Sequence, residues 1–209
     1  MIELFGSALV TFLVIIDPPG CAPIFASLTH GVPAAQRRMM ALRSVLIATG
    51  ILLFFALFGE DLLDALGISL AAFRIAGGIM LFMIALDMVF ERRTQRRENR
   101  ASEVASSPEH DDISVFPMAI PMIAGPGSIA SIMLLMARSD GLDQSLVVLG
   151  ALAAVLVLTG AALLAAGPLM RLLGHKMEAM ITRILGVILA ALAAQFVIDG
   201  ITISFQISV

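Results

Sequence analysis

The chain has 209 residues, 59% of them hydrophobic and 14% charged, with a net charge of −3. Soluble domains carry about 25% charge, so a chain this apolar cannot cover itself with polar surface, and the bilayer must be part of its solvent. A single cysteine, Cys21, excludes an intrachain disulfide and a paired-thiol redox mechanism.

The composition predicts an all-α membrane fold, and six apolar stretches near the spanning length of about 20 residues stand out. They lie at about 2–30, 39–59, 67–90, 114–137, 144–168 and 178–203. The first is apolar from the start, with Glu3 where a signal peptide would carry positive charge, and reads as a retained transmembrane segment. It runs to Ile16 and then meets Asp17-Pro18-Pro19-Gly20-Cys21-Ala22-Pro23 before resuming at Ile24. The fourth carries Pro117 and Pro121, then Gly125-Pro126-Gly127-Ser128, and resumes at Ile129. Proline donates no backbone hydrogen bond and clashes with the preceding turn, so helices one and four are expected to break near mid-membrane into half-helices. With no Trp or Tyr in the chain, interfacial anchoring falls to Phe and Arg.

The two breaks are about 108 positions apart, and Arg74-Ile75-Ala76-Gly77 has a counterpart in Arg183-Ile184-Leu185-Gly186. Residues 1–90 and 114–209 therefore read as two three-helix repeats joined by a charged cytoplasmic linker at 91–113. Three is odd, so the second half enters the membrane upside down, as an inverted repeat. The connections on one side hold Arg37, Arg38, Arg43, Arg92, Arg93, Arg96, Arg97, Arg100, Arg171 and Lys176, with Arg183 at the adjoining helix end, against 13 basic residues in all. The opposite side has Arg74 and Arg138 beside Glu60, Asp61, Asp64, Asp140 and Asp143. The positive-inside rule makes the Arg-rich side cytoplasmic and puts both termini outside.

The first break is the strongest chemical constellation. Asp17 is ionisable and far inside an apolar span, where burial costs on the order of 3 kcal/mol. Asp followed by Pro is also a helix N-cap followed by N1, and the cap and ligand readings are compatible. Pro18, Pro19, Gly20 and Pro23 complete the first candidate binding segment, and Gly125, Pro126, Gly127 and Ser128 the second. Half-helix N-termini would present N–H groups and positive dipole ends, and unwound carbonyls would face a cation or ammonium. Helix–helix packing is the competing role for the small residues, Ser131 included. Arg74, Arg183 and Gln195 are candidates for gating or cavity lining, with Asp87 and Asp199 as carboxylate partners for the arginines. Snorkelling is the alternative for both arginines. His30, His110 and His175 read as solvated residues in or near loops. They show no metal-site spacing, and no Walker loop or Ser-His-Asp grouping supports an enzyme.

The run Ile16-Asp17-Pro18-Pro19-Gly20-Cys21-Ala22-Pro23-Ile24-Phe25 resembles the first signature of the MarC family of integral membrane proteins, and Ile120-Pro121-Met122-Ile123-Ala124-Gly125-Pro126-Gly127-Ser128-Ile129 its second. The resemblance covers essentially the whole chain. It implies kinship with LysE-type transporters, some relatives of which carry small neutral amino acids with Na⁺ or H⁺. The expectation is a secondary transporter of such a solute in the inner (plasma) membrane, with substrate held between the two breaks. A passive channel and a non-transporting structural or regulatory membrane protein are the alternatives. Lipid and a small-molecule substrate are the expected partners and nucleic acid is not. The apolar faces suit lipid and a second copy of the chain equally.

Overall fold

A computed structural model describes residues 1–90 and 112–205, with the backbone alone for 169–176 and 178. The described residues form eight helical segments: α1 (Ile2–Ile16), α2 (Pro18–Leu28), α3 (Ala34–Ala65), α4 (Leu70–Val89), α5 (Ser114–Ile123), α6 (Pro126–Met136), α7 (Gly141–Leu164) and α8 (Ala166–Phe205). Five stretches are long and apolar enough to cross a bilayer: Ile2–Leu28, Ala34–Ala65, Leu70–Val89, Gly141–Leu164 and Ala179–Phe205. A sixth span results if α5 and α6, bent by 52° at their junction, are taken together. The Arg-rich linker expected at 91–113 lies outside the described residues except for Asp112 and Ile113, and His110 lies outside them too.

Local chemistry sets the boundaries. Ser69 caps α4 by accepting a hydrogen bond from the Ala72 N–H at 3.2 Å. The α3 terminus closes with the Ile68 N–H bonded to the Leu63 carbonyl at 2.9 Å, and Gly67 takes the left-handed conformation (φ 67°) that this closure needs. One expectation is corrected. The connection between spans five and six is helical: α8 starts at Ala166, one residue after the α7 cap at Ala165, and runs for 40 residues. Pro168 stands in the first turn, where its missing N–H costs nothing. The Leu, Met, Arg, Lys and Glu that follow are strong helix formers with no further proline. His175 is therefore on a helix, not in a loop, and its side chain, like those of Arg171 and Lys176, lies outside the described ones. His30 is exposed in the turn after α2.

Helices α4 and α8 form the most intimate pair. A Cβ on Gly78 would lie 2.9 Å from the Ala193 carbonyl oxygen, one on Gly186 3.1 Å from that of Ala85, and one on Gly200 2.9 Å from that of Ala71. Three glycines spread along one antiparallel crossing let the backbones touch, the mode by which helices associate where no hydrophobic drive separates them from lipid. Around this pair the packing is reciprocal. Helix α7 lies on α1 and α2, while α3 lies on α5 and α6; α8 also reaches α2, and α4 reaches α6.

The main core draws on α1, α2, α3, α5, α6 and α7, with Phe12 and Phe25 fully buried in it. A second cluster joins Val14 and Ile15 of α1 and Leu134 of α6 to Leu81 and Ala85 of α4 and Leu189 and Phe196 of α8. Leu46, Phe54, Leu57 and Phe58 of α3, with Val157 of α7, are exposed apolar side chains on the outer helix faces. In water they would be a liability; in a bilayer they meet acyl chains.

Candidate functional site

The first interruption is a single residue. Helix α1 stops at Ile16 and α2 begins at Pro18, with Asp17 between them in the left-handed conformation (φ 58°, ψ 66°). Among the described residues it is the one non-glycine with positive φ, a conformation that costs roughly 1–2 kcal/mol and that Asp tolerates better than most. Two prolines supply the reason. Neither Pro18 nor Pro19 can donate to the carbonyls of α1, yet both suit the open first turn of α2.

The Asp17 carboxylate is 1% exposed and turns back over that turn, where its Oδ1 accepts from the Gly20 N–H at 3.2 Å. Gly20 makes this fold-back feasible, because a Cβ there would collide with the carboxylate, lying 2.8 Å from its Cγ. The Cys21 thiol donates to the Ile16 carbonyl at 3.3 Å, covering an acceptor that the break leaves open. Pro23, buried inside α2, cannot donate to the Pro19 carbonyl one turn back. The capping role foreseen for Asp17 is thus present, and it coexists with a buried carboxylate beside the Pro19 carbonyl, which Pro23 cannot serve as a donor.

The second interruption is longer. Helix α5 is wide, with i→i+5 bonds from the Met118 N–H to the Ile113 carbonyl (3.3 Å) and from Ala124 to Ala119 (2.9 Å). Phe116 and Ile120, each preceding a proline, are extended. Gly125 is extended as the residue before α6, which opens with Pro126 and has no side-chain cap. A Cβ on Gly125 would collide with the Pro121 carbonyl oxygen. The Ser128 hydroxyl donates to the Ile123 carbonyl at 2.7 Å.

The two sites are chemical equivalents. Ile16, Pro19, Gly20 and Cys21 correspond to Ile123, Pro126, Gly127 and Ser128, each 107 positions on, and in both a donor five residues past the last carbonyl covers it. They differ at Asp17 and Pro18, which face Ala124 and Gly125 in the alignment. Only the first break carries an acid. The breaks also lie near each other, since a Cβ on Gly127 would be 3.4 Å from Cγ2 of Ile15, two residues before Asp17.

A cavity of about 430 Å³ abuts the first break, lined by Leu13, Pro18, Pro19, Leu158, Ala161, Ala162, Ala165, Ile181 and Leu185 of α1, α2, α7, α8 and the residue joining the last two. Its size suits a small organic solute, and its lining side chains are all apolar. None of Gly125, Pro126, Gly127 and Ser128 lines it. The second break touches the first through Ile15 and does not share this cavity.

Ser131, one turn beyond Ser128, is fully buried and its hydroxyl has no partner among the described residues. The buried hydroxyls of Thr11, Thr29, Ser44 and Thr159 all donate to the carbonyl four residues back, as hydroxyls in helices commonly do. Thr182 shares the exception made by Ser131.

The gating candidates divide. Arg183 and Gln195 are exposed on α8. Gln195 lines no part of the cavity, and its Nε2 donates to Asp199 Oδ1 at 2.7 Å. Arg74 is 8% exposed and its Nε has no hydrogen-bond partner among the described residues. Of the two carboxylates expected as partners for the repeat arginines, Asp199 is paired with Arg138. Arg138 also lies 4.8 Å over the Phe196 ring. Burial, and then the like charge of Arg74, push its guanidinium below the usual range.

A further pair, across 69 residues, joins Arg43 Nη1 of α3 to Asp112 Oδ2 at 2.5 Å. The other Asp112 oxygen accepts from the N–H of Ser114 at 2.9 Å and from its hydroxyl. Those hydrogen bonds, together with the Arg43 charge and against a smaller effect of burial, hold the Asp112 carboxyl below its ordinary range.

The family model described as "MarC family integral membrane protein" matches residues 2–205. A UPF0056 membrane protein of Methanocaldococcus jannaschii is 38% identical over 96% of this chain and 97% of its own length. The UPF0056 membrane protein YvbG of Bacillus subtilis is 33% identical over 95% and 94%. The UPF0056 inner membrane protein YhgN of Escherichia coli is 34% identical over 93% and 94%. No solved structure matches the chain.

Proposed function

The chain belongs to the MarC family of integral membrane proteins, and from that premise we propose that it is a secondary transporter of a small neutral amino acid or similar metabolite, coupled to Na⁺ or H⁺, and not an enzyme. The observation that carries the reading is the buried Asp17 carboxylate at a helix interruption whose next residues, Pro18 and Pro19, line an apolar cavity of solute size. Interrupted backbone inside a membrane is tolerated only against protein or a water-filled space. Chains keep buried acids in spans chiefly where ions or solutes pass.

In this proposal the solute's apolar part occupies the cavity and its ammonium, or the coupling cation, meets Asp17 and the Pro19 carbonyl. Its carboxylate meets the uncapped first turn of α6 once the halves move. The reciprocal packing supports an inverted repeat. Exchanging α1–α4 for α5–α8 carries α7 on α1 and α2 into α3 on α5 and α6, and leaves the α4–α8 contact unchanged. Such symmetry supplies two conformations of similar energy that open to opposite sides. The Arg-rich connections support a cytoplasmic linker and outer termini, and the name of the Escherichia coli relative supports the inner membrane as location.

The test is flux into proteoliposomes of alanine, glycine and serine under imposed Na⁺ and H⁺ gradients. Saturable uptake that follows one gradient is expected. Folded protein that gives no saturable uptake of any of the three refutes the reading, and non-saturating flux indifferent to both gradients marks a passive channel.

A further inference from the structure

Away from the breaks, the ends of α4, α6 and α8 bring two arginines together with one acid. Arg74 is 92% buried by its 8% exposure, and its Nε is an unsatisfied donor. Arg138 stands just past the end of α6, with about a third of its side chain open (32%). Its place is held by Asp199, which also accepts from Gln195, and by the face of Phe196 at 4.8 Å. The helix contacts explain why the two cations meet. Gly77 of α4 packs against Leu134 of α6, with a Cβ there 3.2 Å from Leu134 Cδ1. Going one turn along each helix from that contact leads to Arg74 on one side and Arg138 on the other. The α4 N-terminus at Leu70 adds the positive end of its dipole.

Asp199 pairs with Arg138, and the Nε of the more buried Arg74 finds no hydrogen-bond partner among the described residues. An unpaired buried cation is tolerated poorly unless something neutralises it. Arginine does so best with the two oxygens of a planar anion.

We propose that Arg74 and Arg138 form a binding site for a small anion, the carboxylate of an incoming solute, at the mouth of the protein opposite the Arg-rich connections. Arg138 is the open edge, positioned by Asp199 and Phe196, and Arg74 is the buried seat. The site stands on these side chains alone; the transport reading only supplies the solute that bears the carboxylate. Chloride offers the same charge from an inorganic source.

The test uses the full chain in nanodiscs of neutral phosphatidylcholine, which removes anionic headgroups, and no gradient, so that it is read independently of transport. The melting temperature is followed against alanine, sodium acetate and sodium chloride, in wild type and in Arg74→Gln under matched salt. Acetate and alanine should raise it saturably in wild type. Loss of a charged hydrogen bond should raise the half-saturating concentration about tenfold or more in R74Q. Without anion, R74Q should melt no lower than wild type, because an unpaired buried charge has gone. If R74Q does not fold, Arg138→Gln at the open edge carries the same comparison. Equal half-saturation in wild type and variant overturns the site, as does the absence of any saturable rise in wild type. A response to chloride alone overturns the carboxylate assignment.

Discussion

Replacing Gly20 by alanine sets a methyl group where the Asp17 carboxylate lies, 2.8 Å from its Cγ and 3.1 Å from Oδ1. Asp17 and Gly20 are both buried, so the carboxylate must swing off the first turn of α2. The cap hydrogen bond at 3.2 Å is then lost, at a cost of about 1 kcal/mol. Leaving a buried acceptor short of a donor adds about 1–3 kcal/mol, and the helix preference of alanine over glycine returns about 0.5–1 kcal/mol. The net expectation is a destabilisation of about 1–3 kcal/mol. The repeat-equivalent change, Gly127→Ala, is the control. There the methyl meets side chains only, Ile84 Cδ1 at 2.8 Å, Leu81 Cδ2 at 3.3 Å and Ile15 Cγ2 at 3.4 Å. Modest repacking, on the order of 1 kcal/mol, is nearly offset by the same helix preference. Reversible denaturation in mixed micelles, followed by circular dichroism, measures both. Equal losses in G20A and G127A, or a neutral G20A, would refute the view that the acid, and not the shared backbone geometry, makes the first break demanding.

The carbonyls that Cys21 and Ser128 cover should respond in parallel. Ser128→Ala leaves the Ile123 carbonyl buried without its 2.7 Å donor and should cost about 1–3 kcal/mol in the same denaturation experiment, whereas Cys21→Ser keeps a donor and should cost less. At the Arg-rich side the Asp112 carboxyl is depressed in the folded protein. Its contribution is complete above the unfolded value of about 3.9 and fades as pH falls below it, through the folded value. Stability profiles of wild type and Asp112→Asn should therefore converge as pH drops below about 4, and parallel profiles down to low pH would contradict the assignment.

The helix boundaries at Asp17 and Gly125 were legible because their cause is local. Proline at 18, 19 and 126 forbids the donors a continuous helix needs, and Asp before proline is a cap in any context. The overall α-helical class and the spans followed from apolar run lengths, which depend on the bilayer and not on partners. The α8 start was missed because a charged stretch reads as a loop, while its residues are good helix formers with no proline past the first turn.

By itself the sequence determined a multi-pass helical membrane protein interrupted at Asp17 and Gly125, since backbone hydrogen bonding and hydrophobic length act within a few turns of chain. The tertiary structure alone decided which charges meet. Asp199, one of the two carboxylates expected for Arg74 and Arg183, took Arg138, which no repeat pattern marked, and Asp112 found Arg43 from 69 residues away. It also placed the cavity against the first break and not between the two. Ion pairing and cavity shape depend on distances across packed helices, and those are set by glycine contacts such as Gly77 on Leu134, which no single segment encodes. Asp17 had a local role that could be read in advance. Arg74, left unpaired by that same packing, did not.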